Sequence, residues 1–306
     1  MAGTFKLLKH KIHELRCRQF RNKQRTKHDV PQLQRQSSQI LKVTIMQEIY
    51  FHPLYFEKLE ELERTMPFQD EVVTYFTEFE GRLKKPDLYG KTLRLSERQM
   101  PELWAVVQKV SEKGKISPPP ISVYEDFYYG VEAKGALSPR LEISAKTIED
   151  LSAEALEFLI AREICRIKWH MQKTALAMEQ TLEMSNEKNL LTKLLPGTQT
   201  LSEGLRITYA NWSRLSHYTA DRFGYLVSRN ISVCVRTILA LVLNNIKLAE
   251  KVNVREYLKQ MPDIYRLDDL VSRFSENDET IPYGPLRIKS LLAFASMEEV
   301  IHFRGF

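Results

Sequence analysis

The run LSAEALEFLIAREICRIKWH, residues 151–170, decides how this chain is read. Ser152 is a suitable N-cap, and Leu156, Leu159, Ile160, Ile164 and Ile167 recur on one face at helical spacing. With ~100° between successive residues, Glu163 falls inside that face, about 20° from Leu156. A carboxylate there must be paired, protonated or directed at a cavity, because an isolated buried charge is very costly. Arg162 and Arg166 lie one turn apart on the flank, and His170 continues their row. Taken alone, the pattern fits a helix edge on which Glu163 pairs with a neighbouring arginine.

Outward from this helix the chain divides by pattern. Upstream, the break Ser117-Pro118-Pro119-Pro120 precedes a strand over 121–124, and a second strand covers 140–144. Helices are expected over 54–64, 71–84 and 101–113, the last opening on Pro101. Downstream of Thr147 nearly everything is helical by periodicity: 152–171, 173–190, 202–228, 230–249, 253–272 and 286–299. A few short strands followed by long helices make an α+β fold, mostly helical, with a small sheet. The expected organisation is a basic arm and linker over 1–45, then a single domain over 46–306. That domain has a helical layer at 46–115 and a core at 116–306. Gly90-Lys91-Thr92 has the end of a phosphate loop, but the glycine required five residues earlier is Lys85.

The segment 120–167 resembles the core of the zinc metallopeptidases of the HtpX and CAAX-prenyl endopeptidase type, whose small soluble members are the minigluzincins. Leu151-Ser152-Ala153-Glu154-Ala155-Leu156 is similar to their helix lead-in, and Arg162-Glu163-Ile164-Cys165-Arg166 stands where they carry H-E-x-x-H. Their E-x-x-x-D followed by glycine is similar to His217, Asp221 and Gly224. Their His-Pro and following Arg-Ile resemble Ile281-Pro282 and Arg287-Ile288. The likeness spans roughly 101–295. It implies a zincin-like, minigluzincin-like domain with a degenerate active-site helix and an edge strand beside a peptide cleft. Gly130, Val131, Glu132 and Ala133 are the matching edge, within 130–135.

Where the chain departs from that family, the chemistry changes. A catalytic zinc of this kind takes two imidazoles from one helix, a carboxylate from another and an open position for water. Arg162 and Arg166 replace the imidazoles, His217 replaces the carboxylate and Ile281 replaces a distal histidine. Guanidinium stays protonated and offers no lone pair, so neither arginine can ligate a cation. Glu163, the family's water-activating residue, is retained as a vestige, and so are Asp221 and Arg287 as supporting residues. Ala220 and Gly224 are retained as a helix-packing pair. The expectation is no metal, no cofactor and no catalytic residue. Instead, Arg162 and Arg166 would pair with Glu163 and Asp221 in a dry centre. An alternative metal set, Cys165, His170 and His217, is weakened because Cys165 and His170 project about 140° apart on an ideal helix.

Charge and cysteine content narrow the classes. Of the net +6, residues 1–30 hold nine Lys/Arg against Glu14 and Asp29, so the other 276 residues sum to −1. The pI near 9.0 therefore describes an arm rather than a nucleic-acid-binding surface. Phe5, Leu8, Ile12 and Leu15 make 5–20 a basic amphipathic helix, suited to local packing or, through residues 1–28, to an acidic partner or an anionic membrane surface. Three widely spaced cysteines fit no disulfide framework and point to a reducing, cytoplasmic compartment. The Arg-rich, acid-poor start leaves an organellar transit peptide open. The longest apolar stretch, 231–243, is interrupted by Arg236 and too short to span a bilayer.

The leading expectation is a pseudopeptidase, an inactive homologue that binds a protein or peptide along the edge strand. Arg162, Arg166 and a protonated His217 would give the groove a basic floor that favours acidic partners. Two rivals are a metal-independent hydrolase using Glu163 and a scaffold or membrane-surface adaptor acting through the arm.

Overall fold

The computed structural model describes residues 48–65, 89–186, 198–266 and 279–303. The basic arm and the helix expected over 71–84 lie outside these residues. The compact unit holding everything discussed below begins at Tyr50.

Its described elements are α1 (Tyr55–Thr65), β1 (Leu93–Arg94), α2 (Pro101–Gly114), β2 (Ile121–Tyr124), β3 (Val131–Lys134) and β4 (Arg140–Ser144), then α3 (Ala145–Asp150) and α4 (Ala153–Lys168). There follow α5 (Met171–Asn186), α6 (Thr198–Ser228), α7 (Ile231–Leu243), α8 (Ile246–Lys251), α9 (Val254–Leu258) and α10 (Met261–Arg266). The last two are α11 (Gly284–Ala295) and α12 (Glu298–Ile301). The fold is α+β and mostly helical.

The sheet has the order β1-β2-β4-β3, with β2 and β4 parallel and both outer strands antiparallel to their neighbours. β1, contributed from before residue 116, adds a strand to the sheet that the sequence pattern does not show. Two residues of strand carry too little periodicity to be seen in the sequence. β3 is an edge. Ser144 N–H donates to Gly130 O at 3.0 Å, and in an antiparallel ladder this alternation turns Gly130, Glu132 and Lys134 toward β4. The backbone N–H and C=O groups of Val131 and Ala133 then face away from the sheet.

α4 starts where the sequence places it, with Ser152 Oγ accepting from Ala155 N–H at 3.3 Å. It is buried on nearly every side, between the sheet, α2 and α6, so its Glu163 is a core residue and not the edge residue that the isolated pattern allows. Close approach is made by glycines. A Cβ on Gly224 of α6 would lie 2.7 Å from the Phe158 ring and 3.0 Å from Arg162 Cγ, and one on Gly114 would lie 2.7 Å from Ile164. α6 is also anchored by aromatics, with Trp212 beside Tyr55 and Phe223 edge-on to Tyr50.

Helix ends depart from the expected spans at residues in the left-handed region. His170 (φ 56°) divides α4 from α5 and Asn244 (φ 48°) ends α7, which splits the expected 230–249 helix into α7 and α8. Without any left-handed residue among those described, 253–272 becomes α9 and α10 before the described residues stop, and 286–299 becomes α11 and α12. The α7 stretch is capped by Asn230 and matches the predicted apolar run. Its Arg236 turns sideways to donate to the carbonyls of Ala249 and Val252, at 2.6 and 2.7 Å, around the end of α8. No described helix is long and apolar enough to cross a membrane.

Candidate functional site

Three helices bring charged residues together beside β3. α4 supplies Arg162, Glu163 and Arg166, α6 supplies His217 and Asp221, and α11 supplies Arg287. All but Arg166 are buried, at 7% exposure or less. These residues are more than 50 apart in sequence between helices, and the crossing at Gly224 is what allows the Arg162 stem to reach α6.

Asp221 is the hub. Arg287 donates to it as a fork, Nε to Oδ2 at 2.9 Å and Nη2 to Oδ1 at 2.8 Å, the geometry in which guanidinium and carboxylate match best. Arg162 Nε lies 2.5 Å from the same Oδ1. Burial opposes the charge on Asp221, but Arg287 and Arg162 outweigh it and hold the carboxyl below its ordinary range. Burial likewise works against the charge on Arg287, and Asp221 more than offsets it. Arg162, placed between Asp221 and three other cationic or neutral groups, is lowered by burial but remains a cation.

His217 faces Arg162, with Nδ1 3.2 Å from Arg162 Nη2. Guanidinium only donates, so Nδ1 accepts and the imidazole proton sits on Nε2. Burial, reinforced by Arg166, Arg162 and Arg287, pushes the His217 pKa well below 6.5. The histidine is neutral, which corrects the expectation that it adds charge to the groove: a fourth cation has no place among three guanidiniums.

Glu163 points the other way, toward the sheet. Its Oε2 accepts from Ala133 N–H at 2.9 Å and lies 3.5 Å from Arg166 Nη1, while Oε1 is 4.0 Å from Arg162. One of the outward-facing β3 donors is thus already occupied by this carboxylate, an interaction no sequence pattern signals.

A cavity of about 500 Å³ opens between β3 and the cluster, bordered also by Gln172 and Tyr209 from α5 and α6 and by Val242 of α7. The cluster is therefore a wall of a cavity and not a dry centre. The floor is not basic in sum either. Lys134, Arg162, Arg166 and Arg287 are matched by Glu132, Glu163 and Glu179 on the cavity wall and by Asp221 behind it. Lys134 pairs with Glu132, and Glu179 accepts from the Tyr209 hydroxyl at 3.1 Å. Lys134, Gln172, Glu179 and Tyr209 escaped the sequence reading, since ordinary polar residues of a helix or strand carry no mark of facing a groove. Ile281 also lines the cavity and is half exposed.

The donor set does not suit a zinc ion. Of the six clustered side chains, Arg162, Glu163, Arg166, His217, Asp221 and Arg287, only His217, Glu163 and Asp221 have lone pairs to give. The acceptor nitrogen of His217 is turned to Arg162, Asp221 is held by two guanidiniums and Glu163 by the β3 amide. Arg162 and Arg166, which have no lone pair to give, stand among these three groups. The alternative set is dispersed: Cys165 is fully buried in α4, His170 is exposed beyond the end of that helix, and His217 lies in the cluster. Among the described residues no group of three or more His, Cys, Asp or Glu is arranged to hold a metal.

No family model matches the chain, and no curated protein or solved structure matches it either.

Proposed function

We propose that the chain is a pseudopeptidase: a zincin-like, minigluzincin-like domain that has exchanged metal chemistry for a fixed ion-pair centre and binds an extended protein or peptide segment in its groove. The observation that carries this reading is Arg162, buried and lying between His217 Nδ1 and the Asp221 carboxylate, at a position where the resemblance calls for a metal-binding imidazole. A guanidinium there neutralises Asp221 and bridges α4 to α6, but it cannot polarise water or a carbonyl as a metal ion would. The outward-facing Val131 backbone on the β3 edge beside the cavity, where Glu163 has taken only the Ala133 amide, supports strand addition as the mode of binding. The balanced charge of the cavity wall removes the argument for acidic partners in particular. Glu163 Oε2 accepts from the Ala133 amide and faces Arg166, so one oxygen of the carboxylate is tied to the β3 edge.

Two measurements test the reading. Purified protein supplied with zinc should leave casein intact and should retain peptides from a randomised decapeptide library on the intact chain. Hydrolysis that a chelator abolishes would sink the proposal. The triple replacement Arg162→His, Arg166→His and His217→Glu should recover stoichiometric zinc if the geometry is inherited, whereas each single change should not.

A further inference from the structure

Gln172 is a buried polar residue with nothing to do. It lies in the first turn of α5, is 1% exposed, borders the cavity, and neither its side-chain nitrogen nor its side-chain oxygen has a hydrogen-bond partner. A carboxamide buried in this state is costly to the folded protein. A methionine of similar volume would avoid that cost, so a stability argument gives no reason for glutamine.

The chemistry of the group identifies its complement. A carboxamide presents one acceptor and an N–H donor side by side. The partner that satisfies both is an adjacent N–H and C=O pair, which is what each residue of an extended chain presents to one side. Successive residues of such a chain present that pair to alternate sides. A segment paired with the outward-facing backbone of Val131 through one set of residues therefore turns the intervening residues toward the opposite wall. Gln172 and Val131 border the same cavity.

We infer that Gln172 is the second backbone-reading group of the groove, so that a bound extended peptide is held from both sides, by the β3 edge and by this carboxamide. The inference rests on the proposed peptide-binding reading and deepens it: the ligand is an extended main chain, recognised largely without regard to charge. Arg166 and Glu179 border the same space with opposite signs, which fits that lack of charge preference.

The experiment uses a decapeptide recovered from the randomised library by its affinity for the intact chain. In fluorescence polarisation, Gln172→Met should weaken its binding at least tenfold while raising the melting temperature, because the same change removes an unsatisfied buried amide. Binding within twofold of the unchanged protein would overturn the inference and leave the peptide-binding reading standing. Failure of the unchanged protein to retain any library peptide would overturn both. A second measurement needs no variant. N-methylation at single positions of the peptide should weaken binding at residues of both parities along the chain. Sensitivity confined to alternate residues would mean that β3 alone reads the backbone, and would overturn the role of Gln172.

Discussion

α4 carries two ion-pair clusters that begin five residues apart and behave as opposites. At Glu157, toward its first half, Lys109 and Lys113 of α2 approach at 2.9 and 3.3 Å. Both lysines keep much of their surface in water, at 56% and 31% side-chain exposure. At Arg162 the partners are Asp221 and Arg287, and all three side chains are 6% exposed or less. The first cluster decorates a helix junction already made by apolar packing and by Gly114 against Ile164. The second replaces packing at the junction of α4, α6 and α11. In water an ion pair contributes little, because screening and side-chain entropy offset the attraction. In the core each charge has lost its hydration, so the pairs hold together only as a complete set. Similar contacts on one helix thus have different consequences, and burial is the cause.

The sharpest way to break this contrast is Asp221→Ala. Two desolvated guanidiniums would lose their common partner, and stability should fall by about 3–5 kcal/mol, read as the midpoint of urea unfolding. A loss below about 1 kcal/mol would mean that the buried cluster behaves like the surface one. Next in size is Gly224→Ala, which pushes a methyl against the Phe158 ring and the Arg162 stem. It should cost about 1–3 kcal/mol by overpacking, and the same replacement at Gly204, where nothing stands within 4 Å, should not destabilise.

Acid should separate the clusters further. His217 in the folded protein binds its proton only well below pH 6.5, and His52 is lowered to about 4, chiefly by burial and then by Arg222. The unfolded chain therefore takes up more protons than the folded one as pH drops below 6.5, and the stability these groups supply, complete above that pH, is lost on acidification. Each proton contributes a slope of at most about 1.4 kcal/mol per pH unit. His217→Gln keeps an acceptor for Arg162 and should flatten the decline between pH 6.5 and 5, measured by thermal melts across that range. Asp221 adds a steeper loss only in stronger acid, since its carboxyl is held below the usual value of 3.8 and must be protonated there. The smallest effect belongs to the cluster whose lysines stay in water: although the Glu157 side chain is itself 13% exposed, Glu157→Gln should cost less than about 1 kcal/mol, and that difference should shrink in molar salt.

The candidate site was legible in the sequence to an unusual depth for its α4 residues, and the reason is local. Glu163 interrupts an apolar helical face, and an interruption can be located from spacing alone. Asp221, Arg287 and the Ala220 and Gly224 pair came instead from the resemblance, because their helices show no comparable break. The direction of pairing was not legible. Arg166 meets only Glu163 within the cluster, Arg287 takes the Asp221 fork, and Glu163 turns to a β3 amide, because side chains of α4 one residue apart point to different neighbours. Charge on the groove was misjudged for a related reason. Counting cations on α4 omits Glu132 and Glu179, which come from β3 and α5 and enter only when those elements close the cavity.

By itself the sequence determined the α+β class, the strands at 121–124 and 140–144, the cap at Ser152 and the impossibility of arginines serving as metal ligands, since each depends on spacing of neighbours or on the chemistry of one side chain. Tertiary structure decided the rest. The protonation of His217, the edge donor taken by Glu163, the neutrality of the groove and the solitary state of Gln172 are properties of groups that meet only after α4, α5, α6, α11 and β3 pack. Desolvation and pairing act on the assembled set, and no single segment contains it.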